Sequence, residues 1–358
     1  MHTFPIYRAE GNHRELGRSH GEQARSHIHG HLDGMCRAEQ WSRATLEERA
    51  LRFEPLFRNY CPHLLEEIGG LAEGAGISLG AALATNIRSV LSTAQGKNTQ
   101  QDGCTSFVVA PQATANNGML AGQNSDMLPE TSEWAYVLHL KPLGKPETLM
   151  WSFGGMIGYH GFNEHGIGQF ANDLGGGPAR QFAMPHYPIK RLLMECRDMA
   201  QVNEVFDTIP VAVNANYVLC ASGGEIVDIE TTTEGPHRIT DEGSGFIAHS
   251  NHFVCVDHAT PENFAESAAD SFSRLDRMNR LLESRVGNLT PNDLQEFLRD
   301  RKNAPSAICR SPQTAHPAAT WVTAGMTVAS IVAEPTERRM HIARGDEPDA
   351  PFVTYSMD

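Results

Sequence analysis

The sequence predicts an α+β protein whose helices and strands are divided at one point along the chain. Apolar residues recur at helical spacing from residue 8 to about 95. From Cys104 onward, short runs of β-branched and aromatic residues are punctuated by Gly and Asn, as strands are. The dipeptide Gly103-Cys104 marks the divide. It lies in Gln101-Asp102-Gly103-Cys104-Thr105-Ser106 and directly precedes the strand-like Phe107-Val108-Val109-Ala110.

The elements follow in order. Arg14-Glu15-Leu16-Gly17-Arg18-Ser19-His20-Gly21 opens a helix, and helical periods continue over residues 45–57, 62–75 and 78–92, so that the segment reads as nearly all α. His27, His29 and His31 fall at i, i+2 spacing, which does not converge on a helix, and read as a solvated face. Strands are predicted over 107–110, 119–127, 134–140, 148–153 and 166–172. Two helices at 188–197 and 201–207 precede strands 216–221 and 225–230, joined by the hairpin turn Ser222-Gly223-Gly224; the order is β-α-β. Helices return at 271–285 and 290–299, and strands at 321–323, 326–333 and 338–343 close the pattern.

Composition narrows the function. At 358 residues, 40% hydrophobic and 20% charged, the chain can bury one large core or two ordinary ones. A net charge of -14 with no basic cluster excludes a nucleic-acid footprint and points to small-molecule partners. Seven widely spaced cysteines, odd in number and without Cys-x-x-Cys, fit reduced thiols and a cytoplasmic protein. The first residues lack a signal-peptide pattern, and no apolar run approaches the roughly 20 residues of a membrane span. No cofactor motif is present, and a homo-oligomer is compatible with the sequence.

Cys104 has the chemistry of a nucleophile that becomes a chain terminus. If its thiol attacks the Gly103 carbonyl, the peptide becomes a thioester, and water then releases a chain beginning with a cysteine amine. An α-amine titrates near ~7.7 to 8.0, so it serves as a base at neutral pH beside the thiol it activates. Gly103, lacking a Cβ, lets the thiol approach its carbonyl. A rival pattern is His249-x-x-His252-x-x-Cys255-x-x-His258, whose residue types ligate zinc; on a strand or loop that spacing scatters the side chains over both faces.

Several segments together resemble the cysteine-dependent N-terminal nucleophile hydrolases of the acyl-coenzyme A:6-aminopenicillanic acid acyltransferase type. They are Glu15-Leu16-Gly17-x-x-His20-Gly21, Asp102-Gly103-Cys104-Thr105-Ser106, Gly122-Gln123-Asn124-Ser125-Asp126, Gly161-Phe162-Asn163 with Asn172, Ser250-Asn251-His252-Phe253 and Ala307-Ile308-Cys309-Arg310. The resemblance spans almost the whole chain and implies a four-layer αββα sandwich. It further implies self-cleavage into residues 1–103 and 104–358, which stay associated.

On the matching positions the resemblance implies Cys104 as processing site and nucleophile, Asn251 as oxyanion donor and Asp126 as a carboxylate near the new amine. Gly103 and Ser306 belong to processing. Asn172, Arg310, Tyr159 and Phe162 are candidates for substrate binding, Arg310 through a substrate carboxylate, with Phe153, Met156 and His160 as further pocket residues. Asn172 and Asp173 precede Gly175-Gly176-Gly177, which places polar groups at the mouth of the site. The implied reaction is hydrolysis of a small N-acyl or aminoacyl amine through an acyl-Cys104 thioester, with acyl transfer to an amine as the alternative and no metal.

Overall fold

The structure, a computed structural model, describes residues 3–91, 103–174, 182–255, 268–311, 325–345 and 349–357. The chain opens with β1 (Ile6–Gly11), followed by α1 (His13–Gln23), α2 (Arg25–Glu39), α3 (Arg43–Leu51), α4 (Glu54–Tyr60), α5 (Pro62–Ala75), α6 (Leu79–Asn86) and α7 (Arg88–Leu91). Then come β2 (Gly103–Val109), β3 (Leu120–Met127), β4 (Ala135–Pro142), β5 (Thr148–Phe153), β6 (His160–Asn163) and β7 (Gly168–Asp173). Next are α8 (His186–Leu193), α9 (Met199–Thr208), β8 (Ala215–Cys220), β9 (Ile226–Thr232), β10 (Gly235–Ile239) and β11 (Phe246–His249). The last elements are α10 (Ala268–Glu283), α11 (Pro291–Leu298), β12 (Met326–Glu334), β13 (Arg339–Arg344) and β14 (Val353–Ser356).

Helix ends carry their expected signals. Asn12 and Glu15 form a reciprocal capping box on α1, Thr290 and Asp293 one on α11, and α5 starts at Pro62 and ends on left-handed Gly76.

Two sheets form, one of eight strands in the order β1-β4-β5-β6-β7-β8-β9-β10 and one of six in the order β11-β2-β3-β12-β13-β14. Three cores show how they stack. α1, α2, α5, α6, α8 and α9 bury Leu16, Ile28, Leu71, Leu83, Ile189 and Val202 against Tyr136, Leu138 and Tyr217 of the larger sheet. Between the sheets lie Val108, Met127, Trp151, Phe153, Phe170, Val218 and Ile331. α10 and α11 cover the outer face of the smaller sheet with Met278, Leu282, Leu294 and Phe297 on Phe107, Val109 and Val332. The layers are therefore α, β, β, α, the sandwich that the resemblance implies.

The Gly17 and Gly21 positions have a packing cause. A Cβ on Gly17 would sit 1.8 Å from the Glu67 carbonyl oxygen, and one on Gly70 of the facing helix 2.0 Å from the Arg14 carbonyl oxygen, so α1 and α5 cross nearly backbone to backbone. His20 in the same motif is buried on Tyr136, its Nε2 2.7 Å from the hydroxyl, and burial pulls it down to about 4.

Several expectations need correction. The segment before α1 is β1, a strand parallel to β4, so residues 8–11 are extended rather than helical. Its burial alternates weakly because one edge of the sheet is free, which hides the period of two. Strands β6, β10, β11 and β14 escaped the sequence pattern because each is only four or five residues long. β7 and β8 flank α8 and α9 but pair antiparallel, so the β-α-β order is not a parallel crossover.

The histidines of α2 are not a solvated face either. His31 is buried with Nδ1 3.0 Å from the Gly154 carbonyl, His27 meets the Tyr7 hydroxyl at 3.2 Å, and His29 the Ala75 carbonyl at 3.1 Å. Burial holds His31 at about 3, a neutral ring docking helix to sheet. The expected strand 321–323 lies outside the described residues. Among the described residues, no single helix is long and apolar enough to cross a membrane.

Polar contacts also cross from the first hundred residues to the rest. Arg191 reaches Glu67 at 3.0 Å and Glu195 at 3.2 Å, both carboxylates buried, while His63 and Lys145 approach Glu195 at 3.1 and 2.9 Å. Burial raises the Glu195 pKa, but Arg191, His63 and Lys145 together outweigh it, leaving Glu195 at about 2.

Candidate active site

Cys104 lies near the start of β2, between β11 and β3, and is 3% exposed. Its partner across the β3 ladder is Ser125, and that of Gly103 is Asp126. Side chains alternate along a strand, and Phe107 and Val109 face the outer helices while Val108 faces the other sheet. Cys104 and Ser106 accordingly face the inter-sheet space, and Ser106 Oγ donates across it to Asn172 Oδ1 at 2.6 Å.

The peptide groups of Cys104 are held from three elements. Its N–H donates to Asn251 Oδ1 at 2.9 Å. Its carbonyl accepts from Asn172 Nδ2 and Ser250 Oγ, each at 3.1 Å, and from Arg274 Nη1 on α10. Arg274 also donates to Thr105 Oγ1 at 2.9 Å and to Asn251 Oδ1 at 2.8 Å. Asn251 is fixed in turn, with its N–H donating to Ser271 Oγ at 2.6 Å and Nδ2 to the Asp173 carbonyl at 2.9 Å.

A second charged group flanks Gly103. Asp126 is buried, accepts from Thr327 Oγ1 at 2.7 Å and lies 3.3 Å from Arg310 Nε. Arg310 also pairs with Asp270, which is 3.3 Å from Arg274 Nε, so two arginines and two carboxylates surround the Gly103-Cys104 bond. A Cβ on Gly103 would meet Arg310 Nη1 at 2.9 Å and Asp126 Oδ2 at 3.1 Å. Burial pulls the Arg274 pKa below its ordinary value, and Asp126 and Cys104 pull it back up.

The structure brings Gly103, Cys104, Asp126, Asn172, Asn251 and Arg310 together. Both ends of the Asn172 amide are spent on β2 and on the His249 carbonyl at 3.3 Å, and Arg310 is spent on the protein's own carboxylates. The amide nitrogen of Asn251 faces Asp173 in this state, while its oxygen faces Cys104. Ser306 is half-buried in the turn before Ile308, its N–H donating to the Asn303 carbonyl at 2.8 Å, and among the described residues it makes no hydrogen bond to Gly103 or Cys104.

Tyr159 and His160 lie across the inter-sheet space from Cys104. His160 Nδ1 is 3.5 Å from Ser125 Oγ, and the Tyr159 hydroxyl 4.0 Å from Met127 Sδ, two positions along the same face of β3. Phe153 packs edge-on to Tyr159, and Met156 and Phe162 are buried in the same inter-sheet core. Phe162 pairs with Leu149 and Gly168, a core position.

Arg274 escaped the sequence reading. With Asp270 one helical turn before it, it has the pattern of an exposed ion pair, and only the fold turns it inward to 1% exposure.

The metal pattern does not assemble as a ligand set among its described members. His249 is turned to Glu230 at 2.9 Å, His252 to Ser271 Oγ at 2.7 Å and onto the Phe272 ring; His258 lies outside the described residues. Among the described residues, His13, His63 and Glu195 do place ligand atoms within 4.8 Å of one another. Arg191 and Lys145 already neutralise that carboxylate, at 3.2 and 2.9 Å, so the group reads as an ion-pair network.

Residues 113–348 match the model of the family described as acyl-coenzyme A:6-aminopenicillanic acid acyl-transferase. A curated relative, the 40 kDa form of acyl-coenzyme A:6-aminopenicillanic-acid-acyltransferase of Emericella nidulans, is 26% identical over 97% of this chain and 95% of its own length. Among solved structures, the penicillin V acylase of Agrobacterium tumefaciens superposes with a TM-score of 0.51 at 11% identity, covering 71% of this chain and 86% of that one. That likeness concerns the fold.

Proposed function

Because the chain belongs to the acyl-coenzyme A:6-aminopenicillanic acid acyl-transferase family, enzymes of the N-terminal nucleophile type, we propose that it is a self-processing amidohydrolase acting on a small N-acyl or aminoacyl amine. The observation that carries this reading is the set of contacts on the peptide group of Cys104: Asn251 on its nitrogen, and Asn172, Ser250 and Arg274 on its carbonyl. Such contacts hold in place the nitrogen that cleavage would turn into an amine.

Processing begins when Cys104 Sγ adds to the Gly103 carbonyl, the C–N bond breaks, and the acyl group passes from nitrogen to sulfur. Water hydrolyses that thioester, leaving a Gly103 carboxylate, the thiol and a free Cys104 amine. The thiol proton passes to the departing nitrogen, while Asp126, packed against Gly103 and paired with Arg310, stands as a fixed charge beside the bond. In turnover the amine accepts the thiol proton, sulfur attacks the substrate amide, and the amine returns that proton to the leaving nitrogen. Water then releases the acyl group from Cys104. Asn251 Oδ1 orients the amine, and its Nδ2 becomes an oxyanion donor once it exchanges the Asp173 carbonyl for the tetrahedral oxygen.

The two fragments stay joined through the shared core and the buried Arg191 network. Tyr159 and His160 line the acyl side, and Arg310 holds Asp126. The cytoplasm is the compartment that suits the reduced thiols. Transfer of the acyl group to an amine is a second reading, favoured by the name of the Emericella nidulans relative.

A panel of N-acyl amines, N-acyl amino acids and aminoacyl amines, run with and without an added amine acceptor, tests the proposal. Release of free acid irrespective of acceptor is expected; acylated acceptor in place of acid would turn the assignment to transferase. Arg274 makes a further expectation. A buried cation beside an amine disfavours the ammonium form and lowers its pKa. Arg274→Met is expected to raise the amine pKa, moving the acidic limb of kcat/KM upward by about one pH unit, roughly tenfold at the limb. An unmoved limb would remove Arg274 from the control of the amine.

A further inference from the structure

One end of the inter-sheet core gathers a cluster of polar and charged side chains. Asn172, Asn216 and Glu230 stand side by side on β7, β8 and β9, with Asn172 opposite Asn216 and Asn216 opposite Glu230. All three are fully buried, as is Asp228 on the same face of β9. Facing them from the other sheet is His249, the last residue of β11. Its Nε2 lies 2.9 Å from Glu230 and 3.6 Å from Asp228, and its Nδ1 donates to the Ser250 carbonyl at 2.8 Å. Glu230 does more than pair with it. Oε1 also accepts from the Val254 N–H at 2.6 Å, and Oε2 from the Cys255 N–H at 3.2 Å.

We propose that Glu230 is a positioning residue for the reaction at Cys104, clamping residues 250–255 from both ends so that Ser250 and Asn251 meet the Cys104 peptide group. The inference rests on the reading of Cys104 as nucleophile. Only a carboxylate suits the place: three donors converge on two acceptor oxygens, and a Gln amide would turn its own NH2 toward one of them. The charge also matches its surroundings. Both ring nitrogens of His249 face oxygen acceptors, as in a charged ring, and although burial works against that charge, Asp228, Glu230 and the Ser250 carbonyl together raise the His249 pKa. His252, the other titratable ring facing His249, is held neutral at about 4 by burial and by the His249 charge. The polar residues close into one circuit, from the Cys104 carbonyl through Asn172, Asn216, Asp228 and His249 to Ser250 and back. This gives the His249-x-x-His252-x-x-Cys255 pattern a cause other than metal.

Hydrogen–deuterium exchange separates this role from the chemistry. In a Cys104→Ala precursor, which has no nucleophile, adding Glu230→Gln is expected to speed exchange of the Val254 and Cys255 amides about tenfold or more, with β9 and β8 amides and Tm little changed. In the otherwise wild-type chain, Glu230→Gln is expected to slow self-cleavage and lower kcat about tenfold, with KM within about twofold, the signature of a displaced catalytic group. Unchanged exchange over residues 250–255 would overturn the clamp. So would faster exchange spread through both sheets, which would make Glu230 a core residue only, or released amides with unchanged kcat. Turnover that survives Cys104→Ala contradicts the nucleophile reading instead, and leaves the exchange result to judge the clamp by itself.

Discussion

Cys104→Ala is expected to leave a folded, uncut chain of 358 residues with no measurable amide turnover. Both losses would have one origin, because on the proposed mechanism the same sulfur cuts the Gly103 bond and attacks the substrate. Removing the nucleophile of a coupled catalytic group costs on the order of 10⁶ in kcat. The fold should survive, since Cys104 contributes only a small side chain to a face shared with Ser125 and Ser106, and its peptide contacts do not depend on sulfur. Intact mass reads the first loss and the amide panel the second. An alanine variant that still cleaves or still turns over would place the nucleophile elsewhere.

Asn251→Ala is expected to lower kcat roughly 100- to 1,000-fold, the scale of a lost oxyanion donor. Its side chain touches the Cys104 nitrogen, Arg274 and the Asp173 carbonyl, so its removal would also free the amine proposed to act as base. The loss should fall on kcat with KM nearly unchanged, because these groups face the reacting atoms. A rate equal to wild type would assign the donor to another residue.

The sequence revealed the parts of this site that carry chemistry in short, ordered segments. Gly103-Cys104 and Asn251, the proposed nucleophile and amide donor, were visible because each sits in a recognisable run of residues. The packing role of Gly17, Gly21, Gly70 and Gly74 was not, since two helices must be brought within van der Waals contact before the missing Cβ atoms have a meaning. Arg274 and Glu230 were hidden for a different reason. Each looks locally like a surface charge, Arg274 one helical turn from Asp270 and Glu230 in an alternating strand, and only tertiary packing buries them. The histidines of α2 misled in the same way. Their i, i+2 spacing does not converge on a helix, but docking on neighbouring elements, rather than solvent, satisfies them. Short strands such as β6 and β11 carry too few residues to show a period of two, although β11 delivers the loop that holds Asn251.

The central claim is that the active protein begins its catalytic fragment at Cys104. Mass analysis of the purified wild-type protein, with N-terminal sequencing of the larger fragment, tests it most directly. Two co-purifying fragments are expected, the larger starting Cys104-Thr105-Ser106. A fully active protein that remains a single chain with the Gly103-Cys104 bond intact would contradict it.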